Sequence, residues 1–227
     1  PLIRIVYALI IATGINLLVA SEVGADEFSR SLQTLLRVEE DYGQHASQRV
    51  TNWYRLITDY RDKQTLDKLE LGNTCFTPLA FFTDPDHWGK EDYWATPVQM
   101  LASNGGDCED FSIAKYFTLR DMGVPEERMR LVYVKALQLD QAHMVLTYYP
   151  SPDAEPLVLD NLDTAILPSS QRTDLLPVYS FNGNGLWLAK REGNDKLVGR
   201  SKRLSRWQEV IARVNDEQLL MTRQVAQ

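Results

Sequence analysis

The sequence carries no basic surplus: 24 Lys and Arg stand against 31 Asp and Glu, for a net charge of −7. That balance argues against a nucleic-acid binder, which presents a basic face to phosphate. Internal repeats, low-complexity tracts and long linkers are absent, so one domain follows the first apolar segment. Cysteines number two and histidines three in 227 residues. Two cysteines allow a single disulfide, Cys75 to Cys108, which a domain of this size does not require. Hydrophobic residues make up 44% and charged residues 24%, which suits one good-sized core or two small ones and argues against wholesale disorder.

One long hydrophobic run is present. IVYALIIATGINLLVAS, residues 5–21, has no charge, follows Arg4 and precedes the small residues Val23-Gly24-Ala25. This pattern reads as a secretory signal; a single membrane anchor and a buried core helix are the rival readings. Residues 1–25 are therefore expected to be an export signal or anchor, with the domain at 26–227 outside the cytoplasm.

Helical spacing of Phe28, Leu32, Leu35 and Leu36, then of Val50, Trp53, Ile57 and Tyr60, predicts two amphipathic helices. Residues 83–94, TDPDHWGKEDYW, read as a polar, aromatic-rich loop. Thr96 caps a short helix with Pro97 at its first position, and Gly105-Gly106 ends it. Asp107 caps the next helix, which runs to Asp121 and stops at Gly123. Strands are expected at 130–137, 143–149, 156–160, 178–182 and 185–189, with a tight hairpin at Asn182-Gly183-Asn184. A last helix at about 203–221 buries Leu204, Trp207, Ile211 and Val214. Helices first and an antiparallel sheet after them make an α+β layout.

The two cysteines differ in setting. Cys75 lies in the apolar run NTCFTPLAFF and suits a buried thiol, whereas Cys108 lies in GGDCEDF at a helix start. There the free amides and helix dipole favour a thiolate, the form that attacks an acyl group. A base is needed, and His45, His87 and His143 are available. His143 begins one strand and Asp160 ends the next, so neighbouring antiparallel strands can set them side by side. A surface histidine and a strand ending in a turn would show the same local pattern.

The run WATPVQMLASNGGDCEDFSIAKYFTLRDMGVP, Trp94 to Pro125, followed by AHMVLTYY and LVLDNLD, resembles the bacterial transglutaminase-like cysteine proteases, and within them the LapG-type periplasmic proteases. The resemblance covers roughly residues 30–190 of the chain. It implies a papain-like core with Cys108 as nucleophile, His143 as base and Asp160 as its orienter. It also implies calcium dependence, cleavage of a large surface adhesin near its N-terminal anchor, often beside paired alanines, and regulation by the periplasmic domain of an inner-membrane cyclic-di-GMP receptor. A transglutaminase or amidase sharing the same residues, and a calcium-stabilised binding module with an inert thiol, are the alternatives.

Asp107, Glu109 and Asp110 surround Cys108, and hard oxygen ligands suit calcium better than zinc. A cation there would neutralise the repulsion that raises the thiol pKa. Acidic residues in a first helical turn also occur simply because they complement the dipole. Glu126 and Glu127 are candidates for further ligands. The Cys108 amide is a candidate oxyanion donor, with Trp94, Gln99 and Asn104 close upstream, although Trp94 fits a core position better.

Overall fold

A computed structural model of the chain describes residues 33–189 and 195–219. The expected export signal or anchor at 1–25 and the expected helix positions Phe28 and Leu32 lie outside the described residues. A first helix, α1, covers 33–42, and its Leu35 packs on the core while Leu36 is exposed. Then follow α2 (Gln44–Tyr60) and α3 (Thr65–Thr74), the latter in a stretch whose sequence showed no clear apolar period. In α2, Val50, Trp53 and Ile57 are buried, as their spacing predicts.

The expected loop at 83–94 opens with a short helix, α4 (Asp84–His87). Helix α5 (Pro97–Ser103) begins as predicted: the Thr96 hydroxyl accepts from the Gln99 amide, and the Gln99 side chain accepts from the Thr96 amide. Its end differs from expectation. Asn104, in the left-handed region at φ 66°, terminates the helix, and Gly105-Gly106 instead forms β2 (Gly105–Gly106), pairing in parallel with β1 (Ala80–Phe81). No Cβ fits at Gly106, because it would lie 2.3 Å from Asp110 Oδ2.

Helix α6 (Cys108–Asp121) has Asp107 as its N-cap, and Gly123 follows at φ 87°. Residues from Asp110 to Leu119 are all buried, so α6 is the central helix rather than a surface one. It lies between the helical layer and a seven-stranded sheet. The sheet consists of β3 (Met129–Ala136), β4 (Gln141–Tyr148), β5 (Leu157–Leu159), β6 (Leu167–Pro168), β7 (Leu175–Phe181), β8 (Leu186–Leu188) and β9 (Lys196–Gly199). Spatial order is β6-β5-β4-β3-β7-β8-β9, with every neighbour antiparallel. The expected strands are present with small boundary shifts; β6 and β9 are too short to carry a period of their own.

The hairpin at 182–184 is held by Asn182, whose amide donates to the Gly185 carbonyl and whose Oδ1 accepts from the Asn184 and Gly185 amides. Helix α7 (Ser205–Leu219) closes the core. Its fully buried Trp207 packs edge-on against Tyr116 and Phe181 and stacks on Phe117. Truncating such a side chain costs about 3–5 kcal/mol. The architecture is α+β, with helices packed on one antiparallel sheet.

Candidate active site

Three carboxylates shape the start of α6. Asp107 Oδ1 accepts from the Glu109 amide at 3.2 Å and the Asp110 amide at 3.5 Å, while Asp110 Oδ2 accepts from the Asp107 amide at 3.4 Å. This reciprocal cap fixes the turn that carries Cys108. The Cys108 thiol donates to Glu109 Oε2 at 2.7 Å. Burial, and then the Glu109 and Asp107 carboxylates, push the thiol far above its ordinary range, against a smaller pull from the Met144 amide. In this arrangement Cys108 is a protonated thiol, and the local acids outweigh the helix dipole. Both cysteines are free, so the optional Cys75–Cys108 bridge is not formed.

His143 and Asp160 come together through strand pairing. The β4–β5 register sets Leu146 opposite Leu159, which carries Asp160 back alongside the start of β4. His143 Nε2 lies 2.8 Å from Asp160 Oδ1, with side-chain exposures of only 4% and 0%. Asp160 Oδ1 also accepts from the Asn161 and Leu162 amides, and Oδ2 accepts from Arg172 Nη2 at 2.7 Å. Burial alone would raise this carboxyl; the His143 bond and charge, with the Arg172 bond, hold it down at about 2. An ionised Asp160 accepts a hydrogen bond from a proton-bearing Nε2 of His143, which leaves Nδ1 as the nitrogen that can act as a base. No hydrogen bond joins Cys108 to His143 among the described residues, and the thiol donates to Glu109 instead. His45 is exposed, and His87 pairs with Ser103 Oγ at 2.8 Å while stacking on Phe82.

A cluster of carboxylates adjoins the thiol, and beside the expected Asp107 and Asp110 it includes Asp84. Oxygen atoms of Asp84, Asp107 and Asp110 lie within 4.8 Å of one another; Glu109 belongs instead to a second group with Asp107 and Cys108. Asp84 Oδ2 accepts from the Tyr93 amide, and Oδ1 is buried with no hydrogen-bond partner. Asp110 accepts from the Ala95 amide at 2.6 Å and Trp88 Nε1 at 3.2 Å. Burial, followed by the Glu109, Asp110 and Asp84 charges, lifts Asp107 to about 9, and burial lifts Asp110 to about 7. A site whose carboxyls bind protons this readily, and which holds an orphaned buried oxygen, fits a hard, oxygen-preferring divalent cation. Glu126 and Glu127 lie elsewhere: Glu126 sits against Gly183 and Tyr116 in a 3-10 turn after α6.

The upstream oxyanion candidates have other roles. Gln99 Oε1 accepts from the Thr96 amide and the Tyr93 hydroxyl, Trp94 is buried and stacked on Phe181, and Asn104 is the left-handed stop of α5. Sequence reasoning missed Asp84 and Arg172. Asp84 lay in a segment read as a loop, and Arg172 stands alone in sequence, twelve residues past Asp160.

Residues 43–187 match the family model described as bacterial transglutaminase-like cysteine proteinase. A search of the curated proteins finds no match. Among solved structures, LapG of Legionella pneumophila in an EGTA-treated form is 43% identical, with a TM-score of 0.71 over 81% of this chain and 96% of that one. The calcium-bound form of the same protein is 41% identical, with a TM-score of 0.70 over 80% of this chain and 98% of that one. Identity at this level over nearly the whole of the related structures shows the family as well as the fold. The chain belongs to the bacterial transglutaminase-like cysteine proteinases.

Proposed function

We propose that this cysteine protease is a calcium-dependent periplasmic endopeptidase whose catalytic triad is Cys108, His143 and Asp160. The observation that carries the reading is the buried His143–Asp160 pair at 2.8 Å, set beside a cysteine in the first turn of a buried helix. Asp160 orients the imidazole, and His143 Nδ1 takes the Cys108 proton. The thiolate attacks the peptide carbonyl, with the Cys108 amide placed to stabilise the oxyanion. His143 then returns the proton to the departing amine as the C–N bond breaks. Water, deprotonated by His143, hydrolyses the thioester and restores the thiol. The Cys108 thiol must exchange its hydrogen bond to Glu109 for one to His143 before this sequence begins.

Asp84, Asp107 and Asp110 are the residues that would hold the ion, with Glu109 within reach of Asp107. The relative crystallised in calcium-bound and EGTA-treated forms supports calcium as its identity. Calcium bound there would supply positive charge that offsets the carboxylates crowding the thiol.

The substrate we propose is the N-terminal region of a large surface adhesin, cut beside paired alanines, so that cleavage governs biofilm release. The regulator we propose is the periplasmic domain of an inner-membrane cyclic-di-GMP receptor. Both follow from likeness to the LapG-type proteases. The test incubates the purified chain and calcium with the adhesin's N-terminal fragment and follows new N-termini by mass spectrometry. A single cut is expected with wild type, and none with Cys108→Ala or His143→Ala, losses of a thousandfold or more. Equal cleavage by Cys108→Ala would overturn the triad. Incorporation of a labelled primary amine in place of cleavage would favour the amine-transfer alternative.

A further inference from the structure

Three side chains repeat on one face of α6: Cys108, Ser112 and Lys115, at positions i, i+4 and i+7. The first is the nucleophile. Ser112, 2% exposed, donates from Oγ to the Met144 carbonyl at 2.9 Å, immediately after His143 on β4. Lys115, 1% exposed, donates from Nζ to the Asp160 carbonyl at 2.6 Å and to Asn73 Oδ1 at 2.7 Å. Asn73 in turn donates to the Thr164 carbonyl at 2.8 Å, tying the far end of the turn that starts at Asp160.

Burying an ammonium is costly, and an apolar side chain of the same length fills such a site with less penalty. Burial lowers Lys115 to about 8, partly countered by the charge of Asp160, so it stays protonated at neutral pH. What the lysine adds over an apolar residue is a rigid, two-acceptor link between the nucleophile's helix and the backbone of the acid. That link matters because Cys108 and the His143–Asp160 pair come from separate layers of the fold. A catalytic hydrogen bond loses much of its value when misplaced by about 1 Å.

We propose that Ser112 and Lys115 are positioning residues that set the His143 strand and the Asp160 turn in register with Cys108. The proposal rests on the triad reading above. Neither residue touches the reacting atoms; each acts through a backbone carbonyl, of Met144 and of Asp160.

The experiment measures kcat and KM of the calcium-loaded full chain on a quenched fluorescent peptide carrying paired alanines. In parallel, the rate at which iodoacetamide alkylates Cys108 at pH 7 is followed by mass spectrometry. Lys115→Met is expected to lower kcat at least tenfold while KM stays within twofold, and to slow alkylation. Lys115→Arg should recover most of the activity, because a guanidinium can reach both acceptors by using an adjoining cavity of about 120 Å³ lined also by Phe111 and Asn161. Ser112→Ala removes one hydroxyl from a small side chain; a threefold or greater fall in kcat is expected, and this variant decides the matter if Lys115→Met does not fold. Wild-type kcat in either variant, or a loss confined to KM, overturns the proposal. Cys108→Ala run alongside keeps the readings apart: if it still cuts, the triad fails, whereas inactivity with an unaffected Lys115→Met defeats the positioning role alone.

Discussion

Cys108 and Glu109, neighbours in sequence, are hydrogen-bonded side chain to side chain, the thiol donating to Oε2 at 2.7 Å. The first cause of the raised thiol is burial and the second is this carboxylate. Removing the Glu109 charge without changing its size should therefore free some thiolate. In EGTA, Glu109→Gln is expected to alkylate with iodoacetamide at Cys108 severalfold faster than wild type. An unchanged or slower rate would show that Glu109 does not hold the thiol in reserve.

Asp84 offers the sharpest test of the cation site, because its buried Oδ1 has no hydrogen-bond partner. A cation bound by the native state alone stabilises it by about 2.7 kcal/mol at a hundred times Kd. For a domain of this size that corresponds to roughly 5–10 °C in Tm. Calcium should raise the melting temperature of EGTA-treated wild type by an amount of this order, and magnesium should do so poorly because it demands tighter octahedral geometry. Asp84→Ala should lose most of the calcium-dependent rise. An undiminished rise would remove Asp84 from the ligand set.

Asp160 makes stability depend on pH in a definite direction. Burial would raise its folded carboxyl, yet the His143 and Arg172 bonds hold it at about 2 against an ordinary 3.8. A depressed folded pKa contributes stability that is fully present above the unfolded value and is lost as pH falls through the folded one. The difference corresponds to about 2 kcal/mol, retained above pH ~5 and lost progressively toward pH ~2. Urea unfolding of wild type and Asp160→Asn across that range should give curves whose separation shrinks by roughly this amount in acid. Parallel curves would show that Asp160 titrates alike in both states. The variant should also be less stable at neutral pH, since it leaves the buried Arg172 without one of its two carboxylate partners.

The two thiols should separate chemically. Burial pushes Cys75 up to about 12, against a smaller pull from Lys115. The native calcium-loaded protein is expected to take up one iodoacetamide, on Cys108, with Cys75 reacting only after denaturation. Cys75→Ser should keep full activity with at most a packing cost. Rapid double labelling in the native state, or activity lost with Cys75→Ser, would contradict this.

The elements that sequence decided are those whose signal is local. The Thr96 cap with Pro97, the Asp107 cap before Cys108, the Gly123 stop and the Asn182–Asn184 turn depend on contacts within a few residues, so the residue types themselves specify them. The 3.6 period similarly marked α2, which buries a single face, whereas β3 and β4 are buried on both faces and read as short, nearly continuous apolar runs. Helix α6, buried nearly all round, was found by its caps rather than by any period. The order Cys108, His143, Asp160 was legible in the chain, and so was the acidic setting of the thiol. Tertiary structure decided which groups meet. Strand register put Asp160 against His143, chain crossing brought Asp84 to Asp107 and Asp110, and the turn after β6 delivered Arg172 to Asp160. None of these pairings has a short-range signature. Each is fixed by the packing of elements distant in sequence, which only the folded chain provides.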